Sequence, residues 1–338
     1  MNTFFLDRLN SEPHALAFAG QSTPWPVALA DQSANPALDE ALHTHAAAAQ
    51  ALLYPVSAEL LATTGRPVDL FGFEPNPARL GAAAAASASV PGIALTQLGA
   101  LLDAAALGYN PAQAKPVAVL GHSQGVLAVH MVQAICEAGS IDAAAAKIDE
   151  ILAIATLIGV AGTRQARQLG LAARHGEATP MLSVKDITRA QVDALIERVD
   201  GARGPIAVAV TNSATHYVLS GYPEDLAAFG VEVAKEHKRQ AKLREEKVRG
   251  GRVFDPTLEY LDVTLPFHSP LMADAVSQAV AWAEACGINA DHARELAAEV
   301  LLNHVDWAAR VRALMKSTDP SALWVLDFGP GNTVGKLF

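Results

Sequence analysis

Apolar residues along the chain fall in short runs whose period changes, and those changes mark its elements. Residues 14–20 (HALAFAG) form a continuous apolar run ending in glycine, which predicts a short strand buried on both faces. Ala-rich stretches at 46–49 and 82–86 alternate with Leu and polar residues and predict packed helices. Residues 116–120 (PVAVL) are a second buried-strand run, stopped by Gly121, and from Ser123 helical spacing continues through VLAVHMVQAI. The local order is therefore strand, tight turn, helix. From Pro180 the rhythm shortens. Residues 181–184 predict a strand, and 187–199 predict a helix opened by Thr188 and Gln191 as a capping box. Residues 206–210 and 217–219 predict a strand pair around TNSAT, followed by a helix from Pro223 and a strand at 261–265. That βαββαβ order describes a split-βαβ unit. It is set into a larger α/β body that resumes near Phe267 and closes with VLDFGPGN, a strand running into a turn.

Composition agrees with a folded body. The 338 residues are 51% hydrophobic and 18% charged, enough for a large core and too apolar for general disorder. No run approaches eighteen consecutive apolar residues, so no bilayer-spanning helix is expected. The opening MNTFFLDRLNSEPH places Asp7, Arg8 and Glu12 where a secretion signal would be apolar. Cys136 and Cys286 are far apart and match no disulfide or metal spacing, which suits a reducing, cytoplasmic setting. A net charge of −10 argues against nucleic-acid binding. Against that background, residues 235–252 hold eight Lys or Arg and three Glu. They read as a solvated helix end, with a docking patch for an acidic partner or a phosphate as the alternative.

The chemistry concentrates at Gly121-His122-Ser123-Gln124-Gly125. A serine hydroxyl becomes a nucleophile when a base takes its proton and a sharp strand-to-helix turn projects it into a cleft. The flanking glycines let helix and strand cross closely, and the helix start aims free N–H groups at developing negative charge. A base is required, usually histidine, and eleven histidines compete for the role. Pro266-Phe267-His268-Ser269-Pro270 stands out as a Pro-bracketed loop after a predicted strand. His43, His45 and His292 fall on helical polar positions and are expected in solvent. His122, next to the serine, suits substrate contact better than proton transfer.

These motifs resemble the acyltransferase domains of fatty acid synthases. GHSQG matches the family's nucleophile motif, FHSPLM its histidine motif, and FAGQS its FPGQG element. TNSATHYVLSG resembles the hairpin of its inserted subdomain, and LDFGPGN its closing turn. The likeness runs along essentially the whole chain. It is greatest to the acetyl-loading domain of actinobacterial type I synthases, through TLIGVAGTR and EEKVRGGRVF, with the fungal β-subunit domain more distant.

That resemblance implies an α/β-hydrolase-like large subdomain with a parallel sheet, residues 1–179 and 256–338, and an inserted ferredoxin-like subdomain, residues 180–255. It implies that Ser123 forms an acyl-enzyme, that His268 is its base, and that a backbone carbonyl near Val300 steadies the imidazole. It places the oxyanion hole at the N–H groups of Gln21 and Gln124, and Gln97, Asn212, His122 and Ile158 around the substrate. In malonyl-specific members an arginine precedes a glycine on the helix after the nucleophile. Here Ile158-Gly159 stands there, and an unpaired buried carboxylate costs several kcal/mol. Acetyl transfer is therefore expected. Arg164, six residues on, should face elsewhere, and Ser22 replaces a glycine usual in the family.

The resemblance thus implies coenzyme A thioesters as substrates and the phosphopantetheine of an acyl carrier protein as acceptor. No permanently bound cofactor or metal is expected. Other domains of a synthase would be partners; a nucleic acid or a membrane would not. A malonyl- or palmitoyl-type transferase of the same family is one alternative. A serine hydrolase such as a thioesterase is another, although that class normally carries its histidine near the chain end. A catalytically silent module is a third.

Overall fold

The structure is a computed structural model and describes residues 8–9, 11–21, 23–65, 67, 85–171, 178–245, 254–332 and 334–338. The expected features at Ser22, at 82–84 and at 246–253, which include most of EEKVRGGRVF, lie outside the described residues.

The larger part is built on three parallel strands in the order β2-β1-β8: β1 (His14–Phe18), β2 (Ala118–Gly121) and β8 (Trp324–Asp327). All five residues of β1 are buried. Its central place in the sheet and the helices packed around it explain why the run carries no polar alternation. The register sets Phe18 beside Gly121 and Ala17 beside Asp327, so the two site-bearing strand ends finish level with β1.

Helices supply most of the core: α1 (Trp25–Ser33), α2 (Pro36–Leu52), α3 (Ser57–Thr64), α4 (Ala86–Ala106), α5 (Val126–Ala138) and α6 (Ala145–Gln168). Asn35 caps α2 by accepting from the Ala37 N–H at 3.2 Å, ahead of Pro36 in the first turn. By length and composition α4 is apolar enough to cross a bilayer, although no single run reaches eighteen residues. Most of it is buried in this core, packed against α6 so closely that a Cβ on Gly159 would stand 2.4 Å from the Ala86 carbonyl oxygen.

The second part is a mixed five-stranded sheet in the order β6-β3-β5-β4-β7. It comprises β3 (Met181–Lys185), β4 (Ala207–Ser213), β5 (His216–Ser220), β6 (Thr257–Tyr260) and β7 (Val305–Asp306). Two helices cover one face: α7 (Arg189–Ile196) and α8 (Pro223–Glu245). The first four strands have ferredoxin-like order, and α7 opens on the Thr188–Gln191 capping box. Leu182, Leu219, Leu226 and Phe229 fill a separate small core beneath them.

Two strands differ from expectation. The strand after α8 lies at Thr257–Tyr260 instead of 261–265. Leu258 and Tyr260 pack on the small core, whereas Val263 and Leu265 belong to the large one. The apolar run at 261–265 is thus a crossing between cores, bent where the Val263 N–H bonds the Leu261 carbonyl. Val305–Asp306 joins the second sheet parallel to β4, so that sheet draws on chain beyond the expected boundary at 255. The remaining helices, α9 (Ala273–Ala285), α10 (Ala290–Leu301) and α11 (Trp307–Ser317), return the chain to β8.

One contact limits where α5 can lie. A Cβ on Gly125 would stand 2.3 Å from the Phe18 carbonyl oxygen, although the φ of −55° at Gly125 suits any residue. Gly125→Ala is therefore expected to destabilise the fold by about 1–3 kcal/mol through overpacking. Urea unfolding checks this as a lowered midpoint, and an unchanged midpoint would show that helix and strand part freely.

Candidate active site

At the end of β2 the chain turns sharply. His122 is still extended, Ser123 has φ of 54°, and a short 3-10 turn (Ser123–Gly125) leads into α5. A non-glycine residue in the left-handed region is costly and persists only where its surroundings enforce it. Here the enforcement is steric, since a Cβ on Gly121 would stand 2.4 Å from the Val126 nitrogen. Glycines at 121 and 125 allow the helix to fold back over the strand, which leaves Ser123 at the apex.

His268 approaches that apex from the loop before α9. It too has a left-handed φ, of 57°, and is 2% exposed. Its Nε2 lies 2.6 Å from Ser123 Oγ, and its Nδ1 lies 2.8 Å from the Asn303 carbonyl oxygen. A carbonyl only accepts, so Nδ1 carries the proton and Nε2 offers its lone pair to the serine hydroxyl. The Ser269 N–H donates to the Leu301 carbonyl at 3.1 Å, which ties the histidine loop to the end of α10.

The carbonyl expected near Val300 is therefore Asn303's. Val300 is fully buried inside α10, and the carbonyl that meets Nδ1 lies two residues past the end of that helix at Leu301. The sequence offers no signal for the three-residue offset, because it depends on where the helix unwinds.

Burial pushes the His268 ring down to about 3, against the raising effect of the Asn303 carbonyl; His122, His304 and Arg310 push the same way as burial. Burial also lowers His122, and its bond to Asn212 opposes that shift. The His268 ring therefore stays neutral well below the usual histidine range.

The other expected residues gather around this pair, with one set apart. His122 Nε2 lies 2.8 Å from Asn212 Oδ1, and His122 stands edge-on to Trp307 at 5.3 Å between centroids. The Gln21 side chain donates to Gln124 Oε1, and Gln124 Nε2 donates to the Val90 carbonyl at 2.6 Å. The loop and the turn are in contact, because a Cβ on Gly20 would stand 2.9 Å from Ser123 Cβ and 3.4 Å from the Gln124 nitrogen. The Gln21 N–H meets no acceptor among the described residues. Gln97, fully buried, donates from Nε2 to the carbonyls of Ala19 at 2.7 Å and Gly329 at 3.0 Å, binding the FAGQS segment to the closing turn. Ile158 is fully enclosed in the large apolar core, mid-way along α6. Arg164 is exposed and donates to Gln278 Oε1 at 2.8 Å, away from this cluster.

Several histidines depart from expectation. His45 is not solvated: its Nδ1 lies 2.6 Å from Asp149, with both side chains nearly buried. His292 likewise sits against Glu150 and Lys147. His43 is exposed. Sequence reasoning missed Trp307 and Arg310 on α11, and the latter's Nη1 donates to the Gly121 carbonyl at 2.8 Å. Among the described residues no group of three or more His, Cys, Asp or Glu is placed to hold a metal ion.

The comparisons agree with this fold. Residues 180–260 match the family model described as the fatty acid synthase central AT domain, a span that coincides with β3 to β6. The fatty acid synthase beta subunit of Cochliobolus carbonum is 26% identical over 291 residues, which is 74% of this chain and 13% of that protein. The fatty acid synthase subunit beta of Schizosaccharomyces pombe is 27% identical over 209 residues, 56% of this chain and 10% of that one. The chain thus spans about an eighth or less of the curated relatives it matches. Among solved structures, the malonyl CoA-acyl carrier protein transacylase of Clostridium perfringens superposes with a TM-score of 0.60 at 16% identity, covering 96% of this chain and 89% of that one. The MCAT of Mycobacterium tuberculosis gives 0.60 at 20% identity, with 96% and 91% covered. The chain has the fold of these transacylases.

A lowered His268 sets a pH expectation with a definite sign. The free ring near 6.5 would charge on acidification, whereas the ring at about 3 stays neutral and keeps its lone pair on Ser123. Labelling of Ser123 by a fluorophosphonate is expected to hold its rate from about pH 8 to about pH 5. A fall in rate centred near the ordinary histidine value would contradict the buried, neutral ring.

Proposed function

We propose that this chain is an acyltransferase of the fatty acid synthase type, moving an acyl group from coenzyme A through Ser123 to the pantetheine thiol of an acyl carrier protein. The observation that carries this is the 2.6 Å contact between Ser123 Oγ and His268 Nε2 at the apex of a strained strand-to-helix turn. The transacylase fold and the match of residues 180–260 support it.

In this reading Ser123 Oγ attacks the thioester carbonyl as His268 Nε2 takes its proton. The Gln21 and Gln124 N–H groups hold the oxyanion, and each such donor is typically worth about 3 kcal/mol. The C–S bond breaks, and the leaving coenzyme A thiolate takes the proton from His268. The second half runs in reverse: His268 accepts the proton of the incoming pantetheine thiol, whose sulfur attacks the seryl ester and releases Ser123. The Asn303 carbonyl holds the Nδ1 proton through both halves, so the ring never turns its lone pair away. His122 and Asn212, joined at 2.8 Å across the two sheets, border the site on the small-subdomain side.

Acetyl is the acyl group this site fits. Ile158 is wholly buried and apolar where malonyl-specific relatives would carry an arginine, and Arg164 is engaged elsewhere on an exposed face. A malonyl carboxylate would lack a partner on that helix. Within the basic stretch, Arg239 and Gln240 turn onto Glu236, where Arg198 also donates, and Arg239 foremost holds that carboxyl down at about 2.

Transfer assays with purified carrier test the reading. Wild type is expected to load acetyl in preference to malonyl, and Ser123→Ala to load neither. Ile158→Arg is expected to raise the malonyl-to-acetyl ratio by about tenfold or more, since each 1.4 kcal/mol is a factor of ten. Hydrolysis of acetyl-CoA without transfer to carrier would instead support a thioesterase, and an unmoved ratio in the arginine variant would remove Ile158 as the selector.

A further inference from the structure

The segment from Asn303 to Arg310 reaches His268, His122, β4 and the end of β2. Asn303 holds the His268 ring through its carbonyl. His304 bonds the Val208 carbonyl at 2.8 Å and Thr211 Oγ1 at 3.2 Å, both on β4. Trp307 lies edge-on to His122. One turn later on α11, Arg310 reaches the Gly121 carbonyl. That carbonyl needs a donor from outside the sheet. Among the described residues β2 pairs with β1 alone, and the His122 N–H already bonds Phe18 across that pair, so the Gly121 carbonyl points to the other side.

A lysine or a neutral donor would satisfy one carbonyl, yet the residue is an arginine without a carboxylate partner among the described residues. Asp306, the nearest acid on its own helix, accepts the Ala309 N–H as the helix cap. Resting on the function proposed above, we infer that Arg310 is a positioning residue: it fixes the strand end that carries Ser123 to the segment that holds His268.

The groups facing that ring are consistent with this role. Ser123 faces it from the turn, His122 from the end of β2, Asn303 and His304 from the chain after α10, and Arg310 from α11; Arg310 disfavours charge on both His268 and His122.

Three variants test the anchor, read as the fluorophosphonate labelling rate of Ser123 in the full chain at pH 7, with the urea midpoint measured beside it. Arg310→Met removes the donor to the Gly121 carbonyl and is expected to slow labelling by about tenfold. Arg310→Lys and Arg310→Gln each retain a donor and are expected to recover part of that rate at an equal midpoint. A Met variant that labels at the wild-type rate, or Lys and Gln variants that label no faster than Met, would overturn the inference. So would selective loss of malonyl loading in Arg310→Met with acetyl loading unchanged, which would make Arg310 a substrate contact. Failure of wild type itself to label at Ser123 would instead remove the function on which the inference rests.

Discussion

The whole arrangement depends on a serine and a histidine held in the left-handed backbone region and meeting at 2.6 Å. Neither conformation is favourable alone, so the surrounding fold must supply the restraint. At Ser123 the restraint is the close packing of helix on strand, which glycines at 121 and 125 admit and any Cβ there would prevent. At His268 it is the pair of bonds from residues 268 and 269 to the end of α10 and the chain just beyond it. The geometry therefore comes from packing between elements distant in sequence, and the two reactive side chains are its outcome.

Burial then decides the protonation state. The ring is almost fully enclosed, its Nδ1 meets the dipole of a neutral carbonyl, and three nearby groups disfavour added positive charge. Such a ring is a lone-pair donor held ready over a wide pH range. Orientation is supplied by a backbone carbonyl, whose position is fixed by where α10 ends, so the base is tied to secondary structure and not to a mobile carboxylate side chain.

Much of this was legible in the sequence because it rests on local pattern. The apolar runs at 14–20 and 116–120, the glycines around Ser123 and the Thr188–Gln191 cap are local signals, and each corresponds to an element or turn in the fold. What was not legible depends on distance. The carbonyl at Asn303 follows from the unwinding point of a helix, and Arg310 matters only because, among the described residues, β2 pairs with β1 alone. The run at 261–265 carries the apolar spacing of a strand but serves to pass between two cores, a use that periodicity does not reveal. His45 and His292 occupy polar helical positions, yet helix packing brings acids against them.

The central claim is that Ser123 carries the acyl group between two thiols. Peptide mass spectrometry after a brief pulse of acetyl-CoA tests it most directly. The account expects acetyl on the peptide containing Ser123, stable in buffer and discharged when a pantetheine thiol is added. An unmodified Ser123 in active protein, or acetyl found on another residue and discharged by the same thiol, would contradict it.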